Sequence, residues 1–204
     1  MIALKILAIL FLYSTFGLVH TYLARIEFKL LVAKKYPRFM PFYRLAYNIY
    51  AVLHFSIVYE LSPAIDIRLY DLPKPYDIMI LIPQFLAVGG IIWVFYRVGF
   101  KEFLGIAQIG RKLDGTYDNE GHDEQTSLIV DGPFTICRHP IYLFTTIWLV
   151  CRPEMNVDYL VSVLCIIFYF ILGAGFEEAR MLVRYGEVYN NYKKRTARFI
   201  PIIW

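Results

Sequence analysis

Long apolar runs separated by short polar and basic stretches set the character of the chain. A helix that crosses a bilayer needs about 20 mostly apolar residues. On that basis the pattern predicts five spans: 2–19, 43–61, 77–98, 141–151 and 157–176. Lys5 lies near the end of the first, where its ammonium can snorkel toward water. A cleaved leader is the alternative for that run, but the rest of the chain does not read as a soluble domain, so the run reads as a span. Pro83 predicts a kink in the third span. The fourth run is short, which points to a tilted or partly re-entrant helix forming a hairpin with the fifth across CRPEMN (151–156), read as a tight turn. The expected fold is all-α, a multi-pass membrane helix bundle of about five transmembrane helices with a helical C-terminal tail. It forms one domain: three N-terminal spans (1–98), a loop (99–140), then the hairpin and tail (141–204).

Composition agrees with that reading. The 204 residues are 58% hydrophobic and 19% charged, more apolar than an ordinary soluble domain. A net charge of +4 with no solvated basic domain argues against nucleic-acid binding. The lipid bilayer is the expected partner. Cys137, Cys151 and Cys165 have no metal-ligand spacing and read as packing residues, so no metal is expected.

The basic residues give a direction to the chain. With alternating spans, 17 of the 21 Lys and Arg fall on the side that carries residues 20–42, the 99–140 loop and the tail. The other side holds Lys5, Arg68, Lys74 and Arg152. Positive charge favours the cytoplasm, which predicts a cytoplasmic C-terminus and an external N-terminus.

Candidate chemistry concentrates on the cytoplasmic side. The polar stretch around residues 111–127 reads as a connector, with His122 a solvated histidine. Asp131-Gly132-Pro133 signals a turn, and Pro140 suits the first turn of a helix, which places Arg138 and His139 just before a helix N-terminus. Such an end favours a carboxylate or phosphate, and an arginine adds a bidentate contact. Contact with lipid headgroups is the plainer alternative for Arg138. In the tail, Gly173 and Gly175 allow close approach just before Glu177 and Glu178. Adjacent helical residues point about 100° apart, so one glutamate can face solvent while the other turns inward. Tyr185, Tyr189 and Tyr192 form one stripe if the helix continues past Gly186. An interfacial aromatic belt with Lys193, Lys194 and Arg195 on phosphates also explains the stripe. A ligand with a carboxylate, an amine, ribose hydroxyls and an adenine matches these groups, as S-adenosylmethionine does.

RHPIY, one hairpin, then EEARMLVRYGEVYNNYKKR and a final IP resemble the C-terminal signature of the integral-membrane methyltransferases, the superfamily of the isoprenylcysteine carboxyl and phospholipid methyltransferases. The likeness covers residues 128–201. Upstream, His20 with Ala24-Arg25, Tyr43-Arg44 with Tyr47-Asn48, Phe103-Leu104-Gly105 with Gln108, and PEMNVDYL are similar to the NnrU-like branch, which contains the methanethiol S-methyltransferases.

The resemblance implies methyl transfer from S-adenosylmethionine to a small or lipophilic acceptor, a thiol above all. It implies cofactor binding by Gln108, Arg138, His139, Tyr142, Glu177 and Glu178, with Tyr189 and Tyr192 as weaker matches. Glu177 and His139 are the implied catalytic groups, and His139 or His20 could take the thiol proton. His20, Arg25, Tyr43, Arg44 and Asn48 are expected either to line the acceptor pocket or to tie helices together; His54 and Glu60 read as structural. Phe134 departs from the tyrosine frequent in the carboxyl methyltransferases. Nicotinamide-dependent membrane reductases look similar over the same region, but Ile141 and the acid-free LFTTIWLV differ from their pattern. A non-catalytic accessory protein of the NnrU-like type is the remaining alternative.

Overall fold

The computed structural model describes residues 1–118 and 127–201. His122 and the connector residues 119–126 around it lie outside the described residues. Helices α1 (Ile2–Ala24), α2 (Ile26–Lys35), α3 (Met40–Leu61), α4 (Tyr76–Met79), α5 (Leu81–Val98), α6 (Phe100–Leu104), α7 (Ile106–Leu113), α8 (Pro140–Val150) and α9 (Val157–Arg195) carry the fold. Strands β1 (Arg68–Asp71) and β2 (Glu154–Asn156) make one small antiparallel ladder.

Among the described residues, three helical segments are long and apolar enough to cross a membrane: Ile2–Ala24, Tyr76–Val98 and Val157–Arg195. Only 11%, 17% and 11% of their most apolar windows are buried within the protein. Side chains such as Phe11, Leu18, Phe85, Leu86 and Phe168 therefore face outward, an arrangement that lipid rather than water accommodates. The chain is a multi-pass helical membrane protein. Helix α3 covers the predicted second span, but Arg44, Asn48, His54 and Glu60 interrupt its apolar surface. Helix α8 has 11 residues, about 16 Å at 1.5 Å per residue, roughly half of a hydrocarbon core.

One local expectation is displaced and one comes out differently. The helical run of the third span is divided at Ile80, between α4 and α5, just ahead of Pro83. A proline cannot donate to the carbonyl four residues earlier, here Met79, and its ring crowds that carbonyl. The segment read as a tight turn in fact extends from Glu154 into β2. Its partner register is Arg68 with Asn156, Tyr70 with Met155 and Asp71 with Glu154. Arg68 reinforces the ladder through Asp71 at 2.7 Å and Glu154 at 3.2 Å.

Two compact units organise the chain. The first comprises Met1–Phe11, Pro63–Arg97 and Leu128–Trp204. Within it α5 meets α8 at Gly90, where any β-carbon would lie 2.6 Å from the Phe144 ring, so only glycine admits that ring. Helices α8 and α9 form the expected hairpin, fastened by the Tyr159 hydroxyl donating to Leu149 O at 2.9 Å.

The second unit comprises Leu12–Ser62 and Val98–Ser127. Val32, Met40 and Tyr43 form its buried core, flanked by Phe28, Ala33, Tyr47 and Tyr117. Gly105 joins α6 to α7 with φ of 93°, and a β-carbon there would fall 2.5 Å from Leu45 N. Both the positive φ and the close approach of α3 require glycine at that position.

Candidate functional site

The site lies in the first unit and begins with a turn. Gly132 takes φ of 60°, and Arg97 grips Asp131 through Nε at 2.5 Å and Nη2 at 2.6 Å. This pairing holds the Asp131 carboxyl below the usual carboxylate range. A short 3₁₀ turn over Gly132–Thr135 follows, and α8 starts at Pro140 with His139 as its cap. Proline is tolerated there because the first helical N–H has no intrahelical acceptor.

The tail reaches this turn from the far end of α9. Gly186, with φ of 54° and ψ of −129°, kinks that helix. The predicted tyrosine stripe is consequently interrupted: Tyr185 precedes the kink, whereas Tyr189 and Tyr192 beyond it are buried. The Tyr192 hydroxyl donates to Phe134 O at 2.7 Å. Past Arg195 the chain lies along residues 138–139: Arg138 N donates to Ala197 O at 2.8 Å, and His139 N to Arg198 O at 3.2 Å. The backbone just ahead of the α8 N-terminus is thus paired with the protein's own tail.

Glu178 is the glutamate that turns inward, with its side chain 6% exposed, whereas Glu177 is 39% exposed. Arg138 Nε donates to Glu178 Oε1 at 2.9 Å, and His139 Nε2 lies 3.2 Å from the same oxygen. Lys193 Nζ is 3.4 Å from Glu178 Oε2, and Arg198 Nε is 3.3 Å from Oε1. Arg138 Nη1 also donates to Lys193 O at 3.0 Å and to Thr196 O. One buried carboxylate therefore gathers residues from the start of α8, from α9 and from the tail. A buried charge is tolerated only when paired in this way.

His139 bridges the two acids. Its Nδ1 is 3.5 Å from Glu177 Oε2, the oxygen that also accepts from the Tyr142 hydroxyl at 3.3 Å. Burial alone would lower the His139 pKa, but the hydrogen bonds and charges of Glu177 and Glu178 outweigh it, so the imidazole holds its proton above the usual histidine range. The His139 ring stacks on Tyr142 at 5.3 Å, and Tyr142 stacks on Phe170 at 4.5 Å. Neighbouring Cys137 is fully buried, which pushes its thiol up to about 11 and makes it a packing residue as expected.

Beside Glu178 opens a cavity of about 740 Å³, within the range of small-molecule sites. Arg138, Glu178, Lys193 and Arg198 supply its polar wall; Leu182 and Phe199 are among its apolar lining. Sequence reasoning did not select Arg198, Lys193, Phe170 or Phe199. The available signal was the TARFIP segment, whose arginine and aromatic follow directly on the basic end of α9.

The remaining expected site residues belong to the second unit. Tyr43 donates to Leu23 O at 2.5 Å, while Arg44 Nε at 3.1 Å and Asn48 Nδ2 at 2.9 Å both donate to Phe103 O. These three therefore tie helices together. Tyr47 hydrogen-bonds His20 Nε2 at 2.6 Å, and the His20 ring stacks on Phe16. Arg25 is exposed at the junction of α1 and α2. Gln108 is fully buried beside Glu102, which Arg111 holds through two hydrogen bonds at 2.8 and 2.9 Å. The described residues contain no cluster of potential metal ligands.

Comparison with curated proteins finds relatives along almost the whole chain. A methanethiol S-methyltransferase of Pseudomonas deceptionensis is 26% identical over 205 residues, covering 97% of this chain and 73% of the relative. The protein of the same name from Pseudomonas sp. (strain GM41(2012)) is 24% identical, covering 97% and 74%. That of Crocosphaera subtropica is 25% identical, covering 94% and 73%. No family model matches the chain, and no solved structure matches it.

Proposed function

We propose that this chain is an integral-membrane methyltransferase that moves a methyl group from S-adenosylmethionine to a small thiol, methanethiol giving dimethyl sulfide. The observation that carries the reading is the likeness to methanethiol S-methyltransferases across 94–97% of the chain. The geometry of the first unit supports it.

The residues present suit such a donor. Arg198 Nε is buried without a hydrogen-bond partner, and its guanidinium borders a cavity that also holds Lys193 and a carboxylate. Those groups match the charged amino-acid end, and Leu182 and Phe199 match an apolar or aromatic one. When bound, S-adenosylmethionine supplies a methyl carbon on a positively charged sulfur, which a thiolate can displace.

The protein's part is placement, desolvation and proton management. Holding two reactants in line removes much of the entropic barrier. The thiolate is the nucleophile, so the thiol must lose its proton as the new carbon–sulfur bond forms and the sulfonium bond breaks. His139, whose pKa the two carboxylates raise, is suited to hold a proton at the site and to orient the groups around it. Glu177 lies beside it, part-exposed, with its contacts to His139 and Tyr142 both on Oε2, so the Glu177–His139 pair is the proposed proton-handling unit. We assign Arg138, His139, Tyr142 and Glu178 to the frame of the donor site, backed by Tyr189 and Tyr192.

We read the tail as cytoplasmic and the bundle as five-spanning, with α3 and the short α8 completing the three long spans. The charge asymmetry supports that topology. Membranes containing the protein, given methyl-labelled S-adenosylmethionine and methanethiol, are expected to release labelled dimethyl sulfide, and an Arg138→Ala variant is not. Absence of label above that control, with label appearing on prenylcysteine or phospholipid instead, would move the acceptor to another class. Binding without transfer to any acceptor would indicate an accessory role.

A further inference from the structure

The charges around Glu178 are not equally available to a ligand. Arg138 is 7% exposed, and its Nε and Nη1 are committed to Glu178, Lys193 O and Thr196 O. It neutralises the buried carboxylate and straps down the tail. Arg198 and Lys193 also approach Glu178, but their side chains are 32% and 47% exposed. Arg198 Nε lies 3.3 Å from Glu178 Oε1 without hydrogen-bonding geometry. With Arg138 balancing Glu178, the cavity wall carries two cations in excess.

The Arg198 guanidinium lies against α9 at Gly175, where a β-carbon would stand 3.4 Å from Nη2. The guanidinium carbon sits 5.5 Å from the Phe199 ring centroid. Ring and helix surface hold the guanidinium from two sides, while the cavity takes up the rest of its surroundings.

We infer that Arg198, assisted by Lys193, is the residue that binds the carboxylate of the donor's amino-acid end, while Arg138 acts by holding the tail in place. This rests on the proposed function, since it takes S-adenosylmethionine as the ligand. A planar guanidinium pairs with a carboxylate through two parallel hydrogen bonds, a geometry lysine cannot reproduce.

The test compares equilibrium binding of S-adenosylmethionine and decarboxylated S-adenosylmethionine, which keeps the adenosine, sulfonium and amine, to the purified full-length protein in detergent. The original protein is expected to prefer the carboxylate-bearing ligand. Arg198→Ala should weaken S-adenosylmethionine binding about 10- to 100-fold, the scale of one charge-assisted contact, and leave the decarboxylated ligand within about twofold. Arg198→Lys should recover part of the preference. Equal weakening of both ligands by Arg198→Ala would make Arg198 a structural residue and overturn the inference while leaving the methyltransferase reading intact. An original protein that binds neither ligand would overturn both.

Discussion

The two units use buried polar side chains in opposite ways. In the second, Tyr43, Arg44 and Asn48 donate to backbone carbonyls, and each contact closes a local tie between helices. In the first, Arg138, His139, Lys193 and Arg198 converge on one carboxylate, and the contacts among them leave cationic surface beside a cavity. A polar group spent on a carbonyl stabilises the fold and is finished. A cluster with more cations than acids keeps something for a ligand. By that criterion the proposed donor site belongs to the first unit, and the contacts of Tyr43, Arg44 and Asn48 in the second are ties between helices.

The largest expected effect tests the convergence itself. Glu178→Ala leaves Arg138 buried without its acid, at a cost of about 3–5 kcal/mol, and should abolish S-adenosylmethionine binding as well as lower the thermal midpoint in detergent. Should the variant keep its stability, Arg138 would be satisfied by Lys193 and Thr196 alone, and the contrast between the units would weaken. Next comes Gly105→Ala in the second unit, where positive φ and the Leu45 amide both oppose a side chain. Backbone strain of this kind is worth about 1–3 kcal/mol, whereas Gly110→Ala, helical and with open space around it, should not destabilise and can gain up to about 1 kcal/mol by the same melting assay.

A smaller effect is expected for Asn48→Ala, which removes one hydrogen bond to Phe103 O and should cost about 1 kcal/mol with donor affinity unchanged. A drop in affinity comparable to that of the Glu178 variant would give the second unit a direct part in donor binding.

The last test concerns pH. The folded His139 pKa is raised, so the stability it contributes is present below the ordinary histidine value and is lost as pH rises through the folded value. Glu177→Gln removes one of the acids responsible. Histidine NMR should then show His139 titrating at lower pH than in the original protein; an unchanged titration would leave Glu178 as the sole cause.

How much could be read beforehand follows from what each feature depends on. Apolar length announced α1, the α4–α5 run and α9, because the demand of a bilayer is written in consecutive residues. The Arg138-His139 pair and the Glu177-Glu178 pair were equally visible, and helical geometry foretold that one glutamate would turn inward. The β1–β2 ladder was not legible, since Arg68–Asp71 and Glu154–Asn156 carry no strand signal stronger than the turn chemistry beside them. Nor was the role of Arg198, which depends on the kink at Gly186 and on the tail returning to residues 138–139. Tertiary pairing across some sixty positions leaves no local period to detect.

That return also fixes an order of events. Arg138 finds its acceptors on Glu178, Lys193 and Thr196, and its amide finds Ala197. During synthesis the α8–α9 hairpin therefore enters the membrane with this arginine still waiting for most of its partners. Only when residues through 197 have left the ribosome are all those acceptors available to the buried charge.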